Sequence, residues 1–130
     1  MKTWAMACLA AGLIATGVSL AAPPPVTPQQ VREMQAQKSP ALYVLDVRTP
    51  DEFASGHVPG AVNIPYDQVA SRLAEIPKDK EVVLYCRSGR RAGLAAAELE
   101  KAGYQDLKLM QGDMPAWEKA GLPVEGAAKK

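Results

Sequence analysis

Glu81-Val82-Val83-Leu84-Tyr85-Cys86-Arg87-Ser88-Gly89-Arg90-Arg91 passes from an apolar run through a thiol into a polar, cationic turn. Residues 81–85 are rich in β-branched and aromatic side chains with little alternation, which suits a strand covered on both faces. Residues 87–91 are polar and contain a glycine, so the chain turns there. From there to Ala102, Ala, Leu and Glu dominate. A helix therefore follows at once, and Gly103 stops it. A buried strand that runs directly into a helix is the repeating unit of a parallel α/β sheet.

The flanking sequence extends the pattern. Leu42-Tyr43-Val44-Leu45 is a second continuous apolar run, ending at Asp46-Val47-Arg48. Thr49-Pro50-Asp51-Glu52 forms a capping box: Thr49 caps, Pro50 opens the helix and Glu52 reaches back. A short helix to about Ser55 follows. Gly56-His57-Val58-Pro59-Gly60 is a turn, and Ala61-Val62-Asn63-Ile64 a short strand closed by Pro65. Residues 66–74 read as a helix with Val69 and Leu73 on one face. Leu107-Lys108-Leu109-Met110 is a last strand, and residues 114–120 a last short helix. Upstream, Thr27 caps a helix over 28–37 with Pro28 in its first position, and Val31 and Met34 share its apolar face. Ser39-Pro40 ends that helix. Alternating strands and helices predict one α/β domain over 27–123 with a mainly parallel sheet.

The chain has 130 residues, enough for one domain with a modest core. Its formal net charge of +1 lacks the basic excess of a nucleic-acid binder. Lys2 followed by an apolar stretch from Trp4 to Leu20, and small residues at Ser19 and Ala21, read as a signal peptide over 1–21. The rival reading, an uncleaved membrane anchor, suits a segment this rich in Ala and Gly less well. Residues 22–26, Ala-Pro-Pro-Pro-Val, read as a stiff extended lead-in. Residues 124–130 carry no pattern and read as a flexible tail. Cleavage removes one basic residue of 15 and none of the 14 acidic ones, so the mature chain is formally neutral. Any anion site must then be a local cluster. Cleavage also removes Cys8, to which no role falls, and leaves Cys86 as the single cysteine. An unpaired cysteine in an exported protein is a reactive thiol, an intermolecular partner or an inert buried residue.

The surroundings of Cys86 favour reactivity. The carboxyl end of a strand is where open α/β sheets bind ligands. A tight loop entering a helix turns backbone N–H groups inward as an anion nest, and the helix N-terminus adds partial positive charge. Arg87, Arg90 and Arg91 add full charges, while Gly89 lets the backbone curl closely around a ligand. A thiol at the base of such a nest is expected to be largely thiolate, the nucleophilic form. The plain alternatives are a small buried cysteine and a solvated arginine face. The coincidence of thiol, glycine and cations at one junction argues against both. His57, the only histidine, sits in a turn and reads as a structural hydrogen-bonding residue. Asp46 and Arg48 read as a structural pair. One cysteine and one histidine do not build a usual metal site, and no nucleotide-binding fingerprint is present, so no metal or cofactor is expected.

These motifs resemble the rhodanese homology domain. The resemblance is carried by Asp46-Val47-Arg48-Thr49-Pro50-Asp51-Glu52-Phe53, by the segment from Gly56 to Pro65, and by the loop from Val83 to Ala92. Gly112 and Trp117 match in part the family's closing Gly-Gly then Trp pattern. The exported, single-domain form resembles the periplasmic phage-shock members in particular. The resemblance implies a three-layer sandwich, about five parallel strands between helices. It also implies a sulfurtransferase in which Cys86 takes sulfur from thiosulfate or a similar small anionic donor. Cyanide, a thiol or a protein sulfur acceptor then receives it, and Arg87, Ser88, Gly89, Arg90 and Arg91 hold the anion. The alternative is a sulfur-carrier or sensing module that binds a protein partner and turns over small molecules poorly. Cysteine phosphatases are set aside: their arginine would fall at residue 92, which is Ala92. Asp113 departs from the pattern, standing where the family shows a second glycine. It either caps the helix from Met114 or turns its charge toward the arginine loop and weakens anion binding.

The leader implies periplasmic delivery, with no nucleic-acid partner and no stable membrane association after cleavage. Intact-mass analysis of periplasmic protein should show a chain beginning at Ala22. Full-length protein held in the inner membrane would refute cleavage.

Overall fold

The computed structural model describes residues 22–37 and 41–126. The leader over 1–21, Ser39-Pro40 and residues 127–130 lie outside the described residues. The elements in chain order are β1 (Pro25–Val26), α1 (Pro28–Gln37), β2 (Leu42–Asp46), α2 (Pro50–Ser55), β3 (Val62–Asn63), 3₁₀ turns over Tyr66–Ser71 and Leu73–Glu75, β4 (Glu81–Tyr85), α3 (Arg90–Lys101), β5 (Leu107–Met110) and α4 (Asp113–Lys119). The sheet has five strands in the order β1-β5-β4-β2-β3, and every pairing is parallel. Helices cover both faces, so the expected α/β sandwich is the observed fold.

Strand periodicity builds two cores. Val82 and Leu84 of β4, with Cys86 beyond it, point to one face and pack with Ala92, Ala95, Ala96 and Leu99 of α3 and with Val69. Val83 and Tyr85 point to the other face, toward Val31 of α1 and Met114 and Trp117 of α4. Successive side chains of a strand alternate faces, so one short strand supplies both cores. β4 lies between β2 and β5, and all four residues after Glu81 are buried.

Both helix starts read from the sequence are built as expected. Thr27 Oγ1 accepts the Gln30 N–H at 3.0 Å, and Gln30 reaches back to the Thr27 N–H at 2.8 Å. Thr49 and Glu52 form the same reciprocal box around α2.

Three local expectations are corrected. Residues 66–74 form two 3₁₀ turns, with i→i+3 bonds such as Gln68 N–H to Pro65 O at 2.8 Å. The tighter spiral rises farther per residue, which suits a short link that still buries Val69. The lead-in is part of the sheet: β1 pairs with β5 at the edge, where a proline's missing N–H costs no ladder bond. The domain also runs past residue 123 into the segment read as a tail. Glu125 exchanges both backbone bonds with His57 at 2.9 Å, and Trp117 Nε1–H donates to Pro123 O at 2.7 Å. These bonds tie the exposed residues 123–125 back to buried Trp117 and His57.

Asp46 and Arg48 form the buried pair expected of them. Arg48 donates to both Asp46 oxygens, at 2.9 Å and 2.6 Å, and to Gly56 O at 2.8 Å. Asp46 is fully buried and Arg48 is 5% exposed. Arg48→Met should therefore cost about 3–5 kcal/mol, because it strands a buried carboxylate. Urea denaturation measures this; a loss below about 1 kcal/mol, the value of a surface pair, would show that Asp46 finds another partner.

Candidate active site

β4 ends at Tyr85, and Cys86 is the first residue outside the ladder. Its side chain is fully buried at the floor of the loop. Gly89 N–H donates to Cys86 Sγ at 3.0 Å, and Ala92 N–H, in the first turn of α3, donates at 3.4 Å. Two backbone dipoles thus converge on the sulfur and complement negative charge there. Gly89 has φ 91°, a left-handed conformation that costs glycine no Cβ clash and that lets the loop fold over the sulfur.

The three arginines do not act alike. Arg91 grips Glu52 in a two-pronged ion pair, Nη1 to Oε1 at 2.8 Å and Nη2 to Oε2 at 3.2 Å. The pair fastens the start of α3 to α2. The Arg91 guanidinium beside it, helped by the Thr49 donors, holds the Glu52 carboxyl down at about 2 against an ordinary 4.5. Arg87 and Arg90 are exposed and make no ion pair or side-chain hydrogen bond among the described residues. Ser88 is also exposed at the loop crest. The site residues read from the sequence therefore lie together, with Arg91 committed to Glu52 and the other two cations facing solvent.

Asp113 braces the loop at its strand end. Its Oδ1 accepts the Cys86 N–H at 2.9 Å, and the Cys86 carbonyl accepts the Met114 N–H at 3.1 Å. A Cβ placed on Gly89 would stand 3.4 Å from Asp113 Oδ2, so the carboxylate lies against the loop. It does not cap α4: the N-cap is Gly112, without a side-chain bond. Gly112 has φ 78°, and a Cβ there would come within 2.4 Å of the Ala116 Cβ, which leaves room for no other residue.

A cleft of about 240 Å³ borders the loop, lined by Arg48, Glu52, Ser55, Arg87, Met114, Pro115 and Glu118. On the opposite side of β4, the Tyr85 hydroxyl accepts the Val58 N–H at 3.0 Å; burial and then the nearby Asp46 carboxylate push its pKa upward. His57 has the structural setting expected of it. It stacks on Phe53 with centroids 3.6 Å apart, and its Nδ1 lies 2.8 Å from Phe53 O. No cluster of three or more metal-ligating side chains occurs among the described residues, nor does any helix there long and apolar enough to cross a membrane.

Two site residues escaped the sequence reading in their actual roles. Glu52 was legible as a capping residue but not as the partner of Arg91, which lies 39 positions away. Asp113 was legible as a departure at a glycine position that either caps α4 or faces the loop, but not as the acceptor of the Cys86 N–H, 27 positions away.

The family model described as Rhodanese-like domain matches residues 27–120. A sulfurtransferase of Allochromatium vinosum is 43% identical over 83 residues, 64% of this chain and 78% of the relative. The chloroplastic thiosulfate sulfurtransferase 16 of Arabidopsis thaliana is 37% identical over 93 residues, 62% of this chain and 78% of the relative. A rhodanese-related protein of Thermoplasma volcanium has a crystal structure that matches with a TM-score of 0.70 at 25% identity, over 79% of this chain and 98% of that one. Other curated relatives are longer, and the match spans 42% of one and 25% of another.

The Glu52–Arg91 pair makes a prediction about acid stability. Its carboxyl is depressed in the fold, so the stabilisation is full above about pH 4.5 and is lost as pH falls toward about 2. Between pH 5 and pH 2.5, Glu52→Gln should lose about 1–2 kcal/mol less than the wild type, measured by urea melts. Equal losses in the two proteins would show that the pair contributes nothing in solution.

Proposed function

The chain belongs to the rhodanese-like domain family, and from that premise we propose that it moves sulfane sulfur through a persulfide on Cys86. The observation that carries this reading is the buried Sγ facing two backbone N–H donors at the carboxyl end of the central strand. Relatives named sulfurtransferases support the reaction class.

In the proposed cycle the Cys86 thiolate attacks the outer sulfur of thiosulfate or a similar donor. The Sγ–S bond forms, the donor's S–S bond breaks, and sulfite leaves with the electron pair. A thiolate or cyanide then attacks the terminal sulfur and returns the Cys86 thiolate. The cysteine splits one transfer into two easier displacements. The loop N–H groups steady charge on the sulfur, and Arg87 and Arg90 attract the donor anion and stabilise the departing one. Arg91 contributes by fixing the loop to α2, since its two prongs are taken by Glu52. The leader, Lys2 followed by an apolar stretch from Trp4 to Leu20, supports a reaction outside the cytoplasm, in the periplasm.

Thiosulfate treatment followed by removal of small molecules should leave one extra sulfur on Cys86, seen by mass spectrometry and released by cyanide as thiocyanate. Cys86→Ser should abolish both signals while keeping its melt, because a serine hydroxyl carries no sulfane sulfur. Arg87→Ala should lower the specificity constant roughly tenfold to a hundredfold, the value of one charge-assisted contact. Transfer by the serine variant near the wild-type rate would overturn the assignment. An adduct without steady turnover would favour the carrier module over the enzyme.

A further inference from the structure

Asp113 is an expensive residue for what it visibly does. It has φ 58°, the only non-glycine residue with positive φ among those described. It is 8% exposed and makes no ion pair among the described residues. Its Oδ1 takes the Cys86 N–H, while its Oδ2, against Gly89, has no hydrogen-bond partner among them. Left-handed backbone and a buried carboxylate without a cation are each unfavourable. Glycine would relieve the first, and asparagine would keep the N–H contact without the charge. Bracing the loop therefore does not account for a carboxylate here, and strained groups held beside a nucleophile point to function.

The charge balance shows what the carboxylate changes. Three guanidiniums surround the loop; Glu52 cancels Arg91, and Asp113 offsets one more. One formal positive charge remains, and the exposed Glu118 of the adjoining cleft reduces the field further. Thiosulfate brings two negative charges to a thiolate and releases a dianion. A hydropersulfide carries at most one negative charge on its sulfurs, is attacked in its protonated form, R–S–SH, and releases a monoanion. Its S–H can donate to the unpartnered Asp113 Oδ2, and thiosulfate has no such donor. Its R group can enter the cleft beside Arg87, over Met114 and Pro115.

Building on the persulfide reading, we propose that Asp113 is a specificity-determining residue that selects a hydropersulfide donor over dianionic thiosulfate. The Cys86 thiolate attacks the terminal sulfur of R–S–SH. The Sγ–S bond forms, the donor's S–S bond breaks, and R–S⁻ leaves with the electron pair. The proton stays on the transferred sulfur, where Asp113 Oδ2 accepts it in a hydrogen bond. Thiosulfate remains a usable but poorer donor.

The test is the rate of Cys86 persulfide formation, followed by quenching and intact mass, with thiosulfate and with benzyl hydropersulfide released in situ. Wild type is compared with Asp113→Asn, which keeps the amide acceptor and tolerates left-handed backbone, and with Asp113→Gly, which relieves that backbone altogether. Both variants should gain roughly tenfold with thiosulfate, with no gain for the hydropersulfide, and the gain should shrink at high salt. A purely structural brace would move both donors together; an unchanged donor ratio in whichever variant folds would overturn the proposal. Absence of any adduct on wild type with either donor would instead overturn the persulfide reading itself.

Discussion

Strand β4 is hydrogen-bonded along both edges, and the chemistry depends on where that ladder stops. Within it, side chains are buried by alternation and backbone groups are consumed by β2 and β5. Cys86 is the first residue beyond Tyr85, so its amide is freed from the ladder while its side chain keeps the inward parity of Val82 and Leu84. The thiol is thereby placed in the core and under the loop at once. The parallel register, with Asp46 beside Tyr85, brings the carboxyl ends of β2 and β4 level. That alignment lets Glu52, at the start of α2, meet Arg91, at the start of α3.

The loop is then held from two directions. Arg91 pins its helical end to α2, and Asp113 takes the amide at its strand end. Between these anchors, Gly89 and Ala92 keep their N–H groups on the sulfur. The same anchors set the electrostatics, because Glu52 and Asp113 both place a carboxylate against an arginine-rich turn. A loop that looks strongly cationic in the sequence is close to balanced in space. Cationic capacity remains in Arg87 and Arg90, which face solvent.

The buried polar groups beneath the site serve order more than chemistry. Asp46, Arg48 and Gly56 O form one closed set, and Tyr85 and Val58 another. Unmade bonds at such depth are costly, so each set fixes the turn after β2 that carries α2 and Glu52. Glu125 performs a comparable task from the other end of the chain, closing on His57 and on the Gly60 N–H.

The sequence by itself determined the elements whose causes are local. Continuous apolar runs at residues 42–45 and 81–85, the Thr27 and Thr49 caps and the Ala-rich stretch after Arg91 each act over a few residues. From them followed the α/β class, most boundaries and the position of Cys86 between strand and helix. Tertiary structure alone decided what depends on distant partners. Pro25–Val26 became a strand because β5 offered an open edge, and residues 123–125 are held because His57 and Trp117 had groups to satisfy. Arg91 is paired with Glu52, across the site and 39 positions away. Asp113 left its capping role for the Cys86 amide, 27 positions away. Local backbone preference is written in neighbouring residues, whereas the pairing of charges and orphan amides is settled only when the sheet register brings them within about 3 Å of each other.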